Sequence, residues 1–150
     1  MDALLAGIQN ATSVEPLLAI LAGVSIGIFM GAVPGLTAAM AIALLAPVTF
    51  GLDPLTAVAF LIGIYKGGTF GGSISAILLN VPGSPEATAT AIDGYPLSRK
   101  GRAKQVLQMA LYASVAGAIL ADLLLYLVAA PFSKIALKFG PAELTFVVLF

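Results

Sequence analysis

The sequence predicts an all-α, polytopic integral membrane protein whose helices are broken or re-entrant at Pro-Gly motifs. Three observations predict it. Hydrophobic residues fill 60% of the 150 positions and charged residues 9%, with a mean hydropathy of +1.08, whereas a soluble domain carries about 25% charged residues. Charge is absent from whole stretches, the longest being the 37 residues from Pro16 to Leu52. Those stretches are interrupted at Pro34-Gly35 and Pro82-Gly83, where a regular helix cannot continue unaltered. The same composition narrows the function. Seven basic and seven acidic residues leave no net charge, so the electrostatic footprint of a nucleic-acid binder is missing. With no Cys and no His, the chain has no disulfide framework, no thiolate or imidazole metal site and no imidazole base. No catalytic residue and no metal ligand is therefore assigned, and the protein is not expected to be an enzyme.

The amino terminus, Met1-Asp2-Ala3-Leu4-Leu5, lacks the basic segment of a secretory signal peptide and is expected to be mature protein. Leu17 to Val33 is nearly long enough to span. Ala38 to Phe50 is not: at 1.5 Å per residue it covers about 20 Å of a hydrocarbon core about 30 Å thick, so it is expected as a half-helix. Leu55 to Asn80 is interrupted only by Lys66 and carries the glycine pairs Gly67-Gly68 and Gly71-Gly72; it is either one tilted helix or two halves. Asp93-Gly94-Tyr95-Pro96 is expected to be a turn. Val106 to Ala130, 25 residues with the single charge Asp122, is long enough to span with some tilt. Lys134 and Lys138 suit a short interfacial helix. Gly140-Pro141-Ala142-Glu143 opens a further apolar run as a helix start would, so residues 1–150 are expected to be one transmembrane domain, the N-terminal part of a longer subunit.

Arg99, Lys100, Arg102 and Lys104 are four of the seven basic residues within six positions. The positive-inside rule places that loop in the cytoplasm and the amino terminus outside. Parity then asks for an even number of crossings before residue 55, which suits a pair folded at Pro34-Gly35. The basic loop itself serves orientation and contact with lipid headgroups. Small residues recur every fourth position at Ala19, Gly23, Gly27, Gly31, at Ala59, Gly63, Gly67, Gly71, Ser75, and at Ala113, Gly117, Ala121; such stripes let membrane helices approach closely.

Val33-Pro34-Gly35-Leu36-Thr37 and Val81-Pro82-Gly83-Ser84 share a Val-Pro-Gly core 48 residues apart. A broken membrane helix frees backbone groups that lipid cannot satisfy, so breaks survive where they are buried in protein or line a wet cavity. Paired interrupted segments are also the sequence pointer to a transport site. A plain surface turn is the alternative for the first motif; the density of Thr69, Ser73, Ser75, Asn80, Ser84, Thr88 and Thr90 around the second favours a cavity. Lys66 has two readings: the partner of a substrate carboxylate deep in the membrane, or an anchor at the turn between two short segments. Asp122 either binds a cation or proton or joins helices.

The segments Gly31-Ala32-Val33-Pro34-Gly35-Leu36-Thr37 and Ala46-Pro47-Val48-Thr49-Phe50, and above all the run from Gly63 through Lys66-Gly67-Gly68-Thr69-Phe70-Gly71-Gly72-Ser73 to Asn80-Val81-Pro82-Gly83, closely resemble the large membrane subunit of the tripartite tricarboxylate transporters. With Asp93-Gly94-Tyr95-Pro96 the similarity covers essentially the whole chain in order. The resemblance implies ion-gradient-driven uptake of tri- or dicarboxylates across the bacterial inner membrane, coupled to Na+ or H+, with a periplasmic solute-binding protein and a small membrane subunit. It also implies that Pro34-Gly35 and Asn80-Val81-Pro82-Gly83 are the family's signature loops, near the translocated carboxylate; Thr37 and Ser84 beside these loops, and Lys66 and Ser73 between them, complete the candidate binding residues. Two rivals stand beside it: a membrane-embedded hydrolase using Ser73 and Lys66, whose seven-residue separation on one helix is about 10 Å and too long for a base and its nucleophile, and a packing subunit that transports nothing.

Overall fold

The computed structural model describes residue 7 and residues 9–136, apart from the side chains at 130, 131 and 133–136. No strand occurs among the described residues, and three helical runs are long and apolar enough to cross a membrane. The protein is an all-α, polytopic membrane protein. The described residues fall into two compact units divided between Leu111 and Tyr112.

The first helix, α1, is Val14–Ala32. Its 19 residues give a length of about 28 Å. It stops because Pro34 has no N–H to offer: Val33 N–H turns back to the Met30 carbonyl at 3.2 Å, and Leu36 N–H closes a turn on the Val33 carbonyl at 3.1 Å. Gly35 takes φ +89° there, a left-handed conformation that glycine adopts without penalty. Helix α2 (Ala38–Leu45) then begins at Thr37, whose hydroxyl oxygen accepts from Met40 N–H, and it tightens into a 3-10 segment at Ala46–Gly51. Together they cover about 24 Å, the half-helix expected from Ala38 to Phe50.

Helix α3 is Pro54–Leu79, a single run of 26 residues. Its start is fixed by Pro54 at the first position and by Asp53, whose Oδ2 accepts from the N–H groups of Leu55 and Thr56 at 3.1 Å each. The Thr56 hydroxyl, which lies beside the carboxylate without reaching hydrogen-bond geometry, and then these N–H groups hold the Asp53 carboxyl below its ordinary range. The helix ends at Asn80, left-handed at φ 59°, the conformation that commonly closes a helix. Of the two forms open to Leu55–Asn80, the continuous helix is the one adopted.

Asp93-Gly94-Tyr95-Pro96 is not a turn. These residues lie in α4, Ala87–Leu97. Pro96 is tolerated one residue before the helix ends, and Gly94 serves close packing: a Cβ there would stand 2.9 Å from Ile77 Cγ1 and 3.4 Å from Val106 Cγ1. The chain turns instead within the basic cluster, where a π-helical stretch, Ser98–Arg102, is kinked by Gly101 at φ +80°. That cluster is consequently a helical joint, not an open loop. Helix α5, Ala103–Ala136, extends beyond both ends of the predicted span. Position 134 continues this helix instead of starting a separate one; Lys138 and the run from Gly140 lie outside the described residues.

Two of the three small-residue stripes find each other. Gly23, Gly27 and Gly31 of α1 meet the carbonyls of Phe60, Ile64 and Gly68 on α3, while Gly63, Gly67 and Gly71 of α3 meet those of Ile20, Val24 and Ile28. A Cβ at any of these six glycines would collide with backbone. Increasing residue number on α1 pairs with increasing number on α3, so the two helices run parallel. Helix α2 runs the other way: Ala38 lies against Gly68, and Ala41 packs with Phe60 and Ile64. The third stripe differs. Ala113, Gly117 and Ala121 are exposed, and a Cβ on Gly117 meets nothing within 4 Å.

Candidate functional site

The parallel register of α1 and α3 brings the two Val-Pro-Gly breaks to one place. Gly31, in the last turn of α1, lies beside Gly68 of α3, so the first break opens near the level of Gly71 and Gly72. The second break begins eight residues further on but folds back over α3. Gly83 N–H reaches the Gly72 carbonyl at 3.5 Å and Val81 N–H the Ser75 carbonyl at 3.5 Å. Gly83 is buried by this fold-back. A Cβ on it would stand 2.8 Å from the Gly31 carbonyl oxygen, 2.9 Å from Gly72 Cα and 3.4 Å from Ser75 Oγ. Glycine is required at 83 by close approach and at 35 by its φ.

Four helix ends gather around this junction. The C-terminal turns of α1 and α3 present carbonyls, with partial negative charge, and the N-terminal turns of α2 and α4 present N–H groups, with partial positive charge. The start of α4 is seated by Ala87 and Ala91 packing on Ala76 of α3, and the start of α2 by Ala38 on Gly68. Broken helices facing one another in this way can hold an anion at the N-termini and a cation at the carbonyls.

The sequence-predicted residues separate into groups. Gly83 and Ser84 are in the junction, Gly83 buried and Ser84 half-buried. Thr37 is half-buried and spends its hydroxyl oxygen on capping α2. Pro34, Gly35, Asn80 and Pro82 are exposed at the two breaks. Lys66 and Ser73 are half-buried on α3. Lys66 is twelve residues from Pro54 and thirteen from Leu79, hence about 18 Å from either end of a continuous helix. It does not sit at a turn between short segments, so the anchor reading loses its geometry. The same continuity keeps Ser73 two turns from Lys66, and the glycines between them provide no break to close that distance. Asp122 lies inside α5.

Three residues of the junction, Gly31, Gly72 and Ser75, are not among the predicted site residues, although all three lie in the segments that carry the family resemblance and Ser75 in the polar cluster around the second break. Gly31 and Ser75 belong to the small-residue stripes, and Gly72 to a glycine pair. Ser75 is 2% exposed and donates to the Gly72 carbonyl at 3.1 Å. Its signal was a hydroxyl ending a run of glycines at the same four-residue spacing.

The family model for the tripartite tricarboxylate transporter TctA family matches residues 17–150. The chain belongs to that family. A protein of Agrobacterium vitis described as an uncharacterized 52.8 kDa protein in the TAR-I ttuC' 3'region is 46% identical over 121 residues, which is 81% of this chain and 24% of that protein. The chain thus spans about a quarter of that relative's length. No solved structure matches the chain. The TctA match begins in α1 and includes both breaks, α3 and the basic joint.

Proposed function

We propose that this chain forms part of the translocation path of a secondary carrier that takes up tri- or dicarboxylates across the bacterial inner membrane. Uptake is driven by a gradient of Na+ or H+, and a periplasmic solute-binding protein and a small membrane subunit complete the system. The observation that carries the reading is the seating of the second Val-Pro-Gly break, at Gly83, on Gly72 and on the Gly31 carbonyl of the helical turn that leads into the first, beside a parallel pair of membrane helices. Lipid does not tolerate unpaired backbone there, so broken helices belong where they are buried in protein or line a wet cavity, the setting in which transport sites are built. The N-terminal turns of α2 and α4 offer N–H groups to a carboxylate, Asn80 offers an amide, and Lys66 a full charge at mid-helix. The amino terminus lies outside and the basic joint in the cytoplasm.

The test is uptake of labelled carboxylates by cells carrying the complete system, with and without an ionophore. Uptake that collapses with the gradient supports the carrier. Gradient-independent accumulation removes ion coupling, and turnover of an ester or peptide would restore the Ser73–Lys66 hydrolase.

A further inference from the structure

We propose that the basic joint between α4 and α5 is a binding site for the phosphate of an anionic phospholipid, with the Arg102 guanidinium as its fork. The inference goes beyond the carrier reading and stands without it. It starts from the shape of the joint. Gly94 and Val106 are twelve residues apart, about 18 Å along a straight helix, yet a Cβ on Gly94 would stand 3.4 Å from Val106 Cγ1. The chain therefore bends sharply between them, at Gly101 with its φ of +80°, and Arg99, Lys100, Arg102 and Lys104 crowd the apex. All four are exposed. No acidic residue occurs between Asp93 and Asp122, and among the described residues no carboxylate pairs with any of the four. Like charges held this close repel one another unless an anion joins them.

One of the four is held in place. Arg102 Nε donates to Gln105 Oε1 at 2.8 Å, which restrains the guanidinium plane. Its two terminal nitrogens have no partner among the described residues, and such a planar pair matches two oxygens of a phosphate. Position favours a lipid over a soluble anion. The apolar run of α5 opens at Val106, two residues after Lys104 and four after Arg102, so the charges stand about 3 to 6 Å along the axis from the hydrocarbon edge, where phosphates lie. Met109 follows Arg102 by seven residues and is 69% exposed; two turns along the same side of the helix, it offers apolar surface to an acyl chain whose phosphate is at Arg102. Orientation alone asks for less. The positive-inside rule counts lysines and arginines alike, whereas a bidentate phosphate fork requires arginine.

That difference is the test. The purified full-length protein is melted in phosphatidylcholine nanodiscs carrying increasing fractions of phosphatidylglycerol at fixed ionic strength. The expected result is a melting temperature that rises with phosphatidylglycerol and saturates. Arg102→Lys keeps the charge and loses the fork. It should melt like the parent in phosphatidylcholine alone and need about fivefold more phosphatidylglycerol for half the rise, the loss of one charge-assisted hydrogen bond. Gln105→Ala releases the guanidinium without removing it and should shift the response the same way, again with the melt in phosphatidylcholine unchanged. Arg99→Lys exchanges a cation that bonds nothing among the described residues and should keep the parental response. Equal melting at every phosphatidylglycerol fraction overturns the site. A parental response in Arg102→Lys does so too, by reducing the joint to an unspecific positive field; if that variant melts low even in phosphatidylcholine, Gln105→Ala decides, and a parental response there overturns the fork. Inorganic phosphate added to phosphatidylcholine nanodiscs should leave the melt unchanged, and a rise equal to that with phosphatidylglycerol would overturn the lipid in favour of a soluble anion.

Discussion

Lys66 and Asn80 are the residues whose chemistry most directly meets a carboxylate. Mid-helix placement makes Lys66 costly, about 2.5–3.5 kcal/mol on insertion scales, and a substrate carboxylate is one group that offsets that cost. Lys66→Met should accordingly raise the half-saturating substrate concentration while leaving maximal rate largely intact. Asn80 has two duties in this reading: it stands at the start of the second break with an amide to offer, and its φ of 59° closes α3. Asn80→Ala should lower both affinity and rate, since alanine is strained in the left-handed region by roughly 1–2 kcal/mol. Concentration-dependent uptake at matched expression separates the two; an unchanged half-saturation in Lys66→Met removes the lysine from the site. The glycines at the breaks divide differently. Gly35→Ala meets open space but an unfavourable φ, whereas Gly83→Ala meets the Gly31 carbonyl at 2.8 Å. Gly83→Ala should therefore abolish uptake with the protein still inserted, and Gly35→Ala should impair it less. Normal uptake in both variants would make the breaks ordinary turns.

Helix lengths, breaks and glycine spacing were open to sequence reasoning because each is local: proline removes a donor, 1.5 Å per residue sets reach, and a four-residue repeat marks a helix face. Pairing is not local. Three stripes had the same spacing, yet only Gly23–Gly31 and Gly63–Gly71 interlock, while Ala113, Gly117 and Ala121 are exposed. The junction followed from that hidden choice, since Gly83 meets Gly31 only in the parallel register. Asp93–Pro96 departs from the expected turn for a related reason: Gly94 is a contact point for Ile77 and Val106 and not a breaker. The interlocked pair makes its own prediction. Gly27→Leu or Gly67→Leu drives a side chain into the facing backbone, and overpacking of this kind costs about 1–3 kcal/mol or more. Either should lower the melting temperature by several degrees, whereas Gly117→Leu should not. Equal tolerance at all three positions would break the pairing of α1 with α3.

At the scale of the membrane, the parallel course of α1 and α3 fixes which ends lie together. Two parallel spans require the chain between them to come back, and α2 with the 3-10 segment runs antiparallel to α3 over about 24 Å. The starts of α1 and α3 are then on one side. Helix α4 stays at the other side, because Ala87, Ala91 and Gly94 pack on Ala76 and Ile77 near the end of α3. The basic joint follows α4 directly, and its Arg99, Lys100, Arg102 and Lys104 are exposed. The positive-inside rule assigns such a cluster to the cytoplasmic face, the orientation proposed above. The opposite face then carries Ser13 and Asp53, the residues that open α1 and α3. Since the chain has no cysteine of its own, single cysteines report this arrangement without interference. Arg99→Cys and Arg102→Cys should be protected from an impermeant thiol reagent added to intact cells and become reactive when the membrane is opened, while Ser13→Cys should react from outside. Labelling of positions 99 and 102 in intact cells would invert the topology; labelling of 13 and 102 from the same side would go further and contradict the antiparallel return of α2, because no single crossing direction could then serve both α1 and α3.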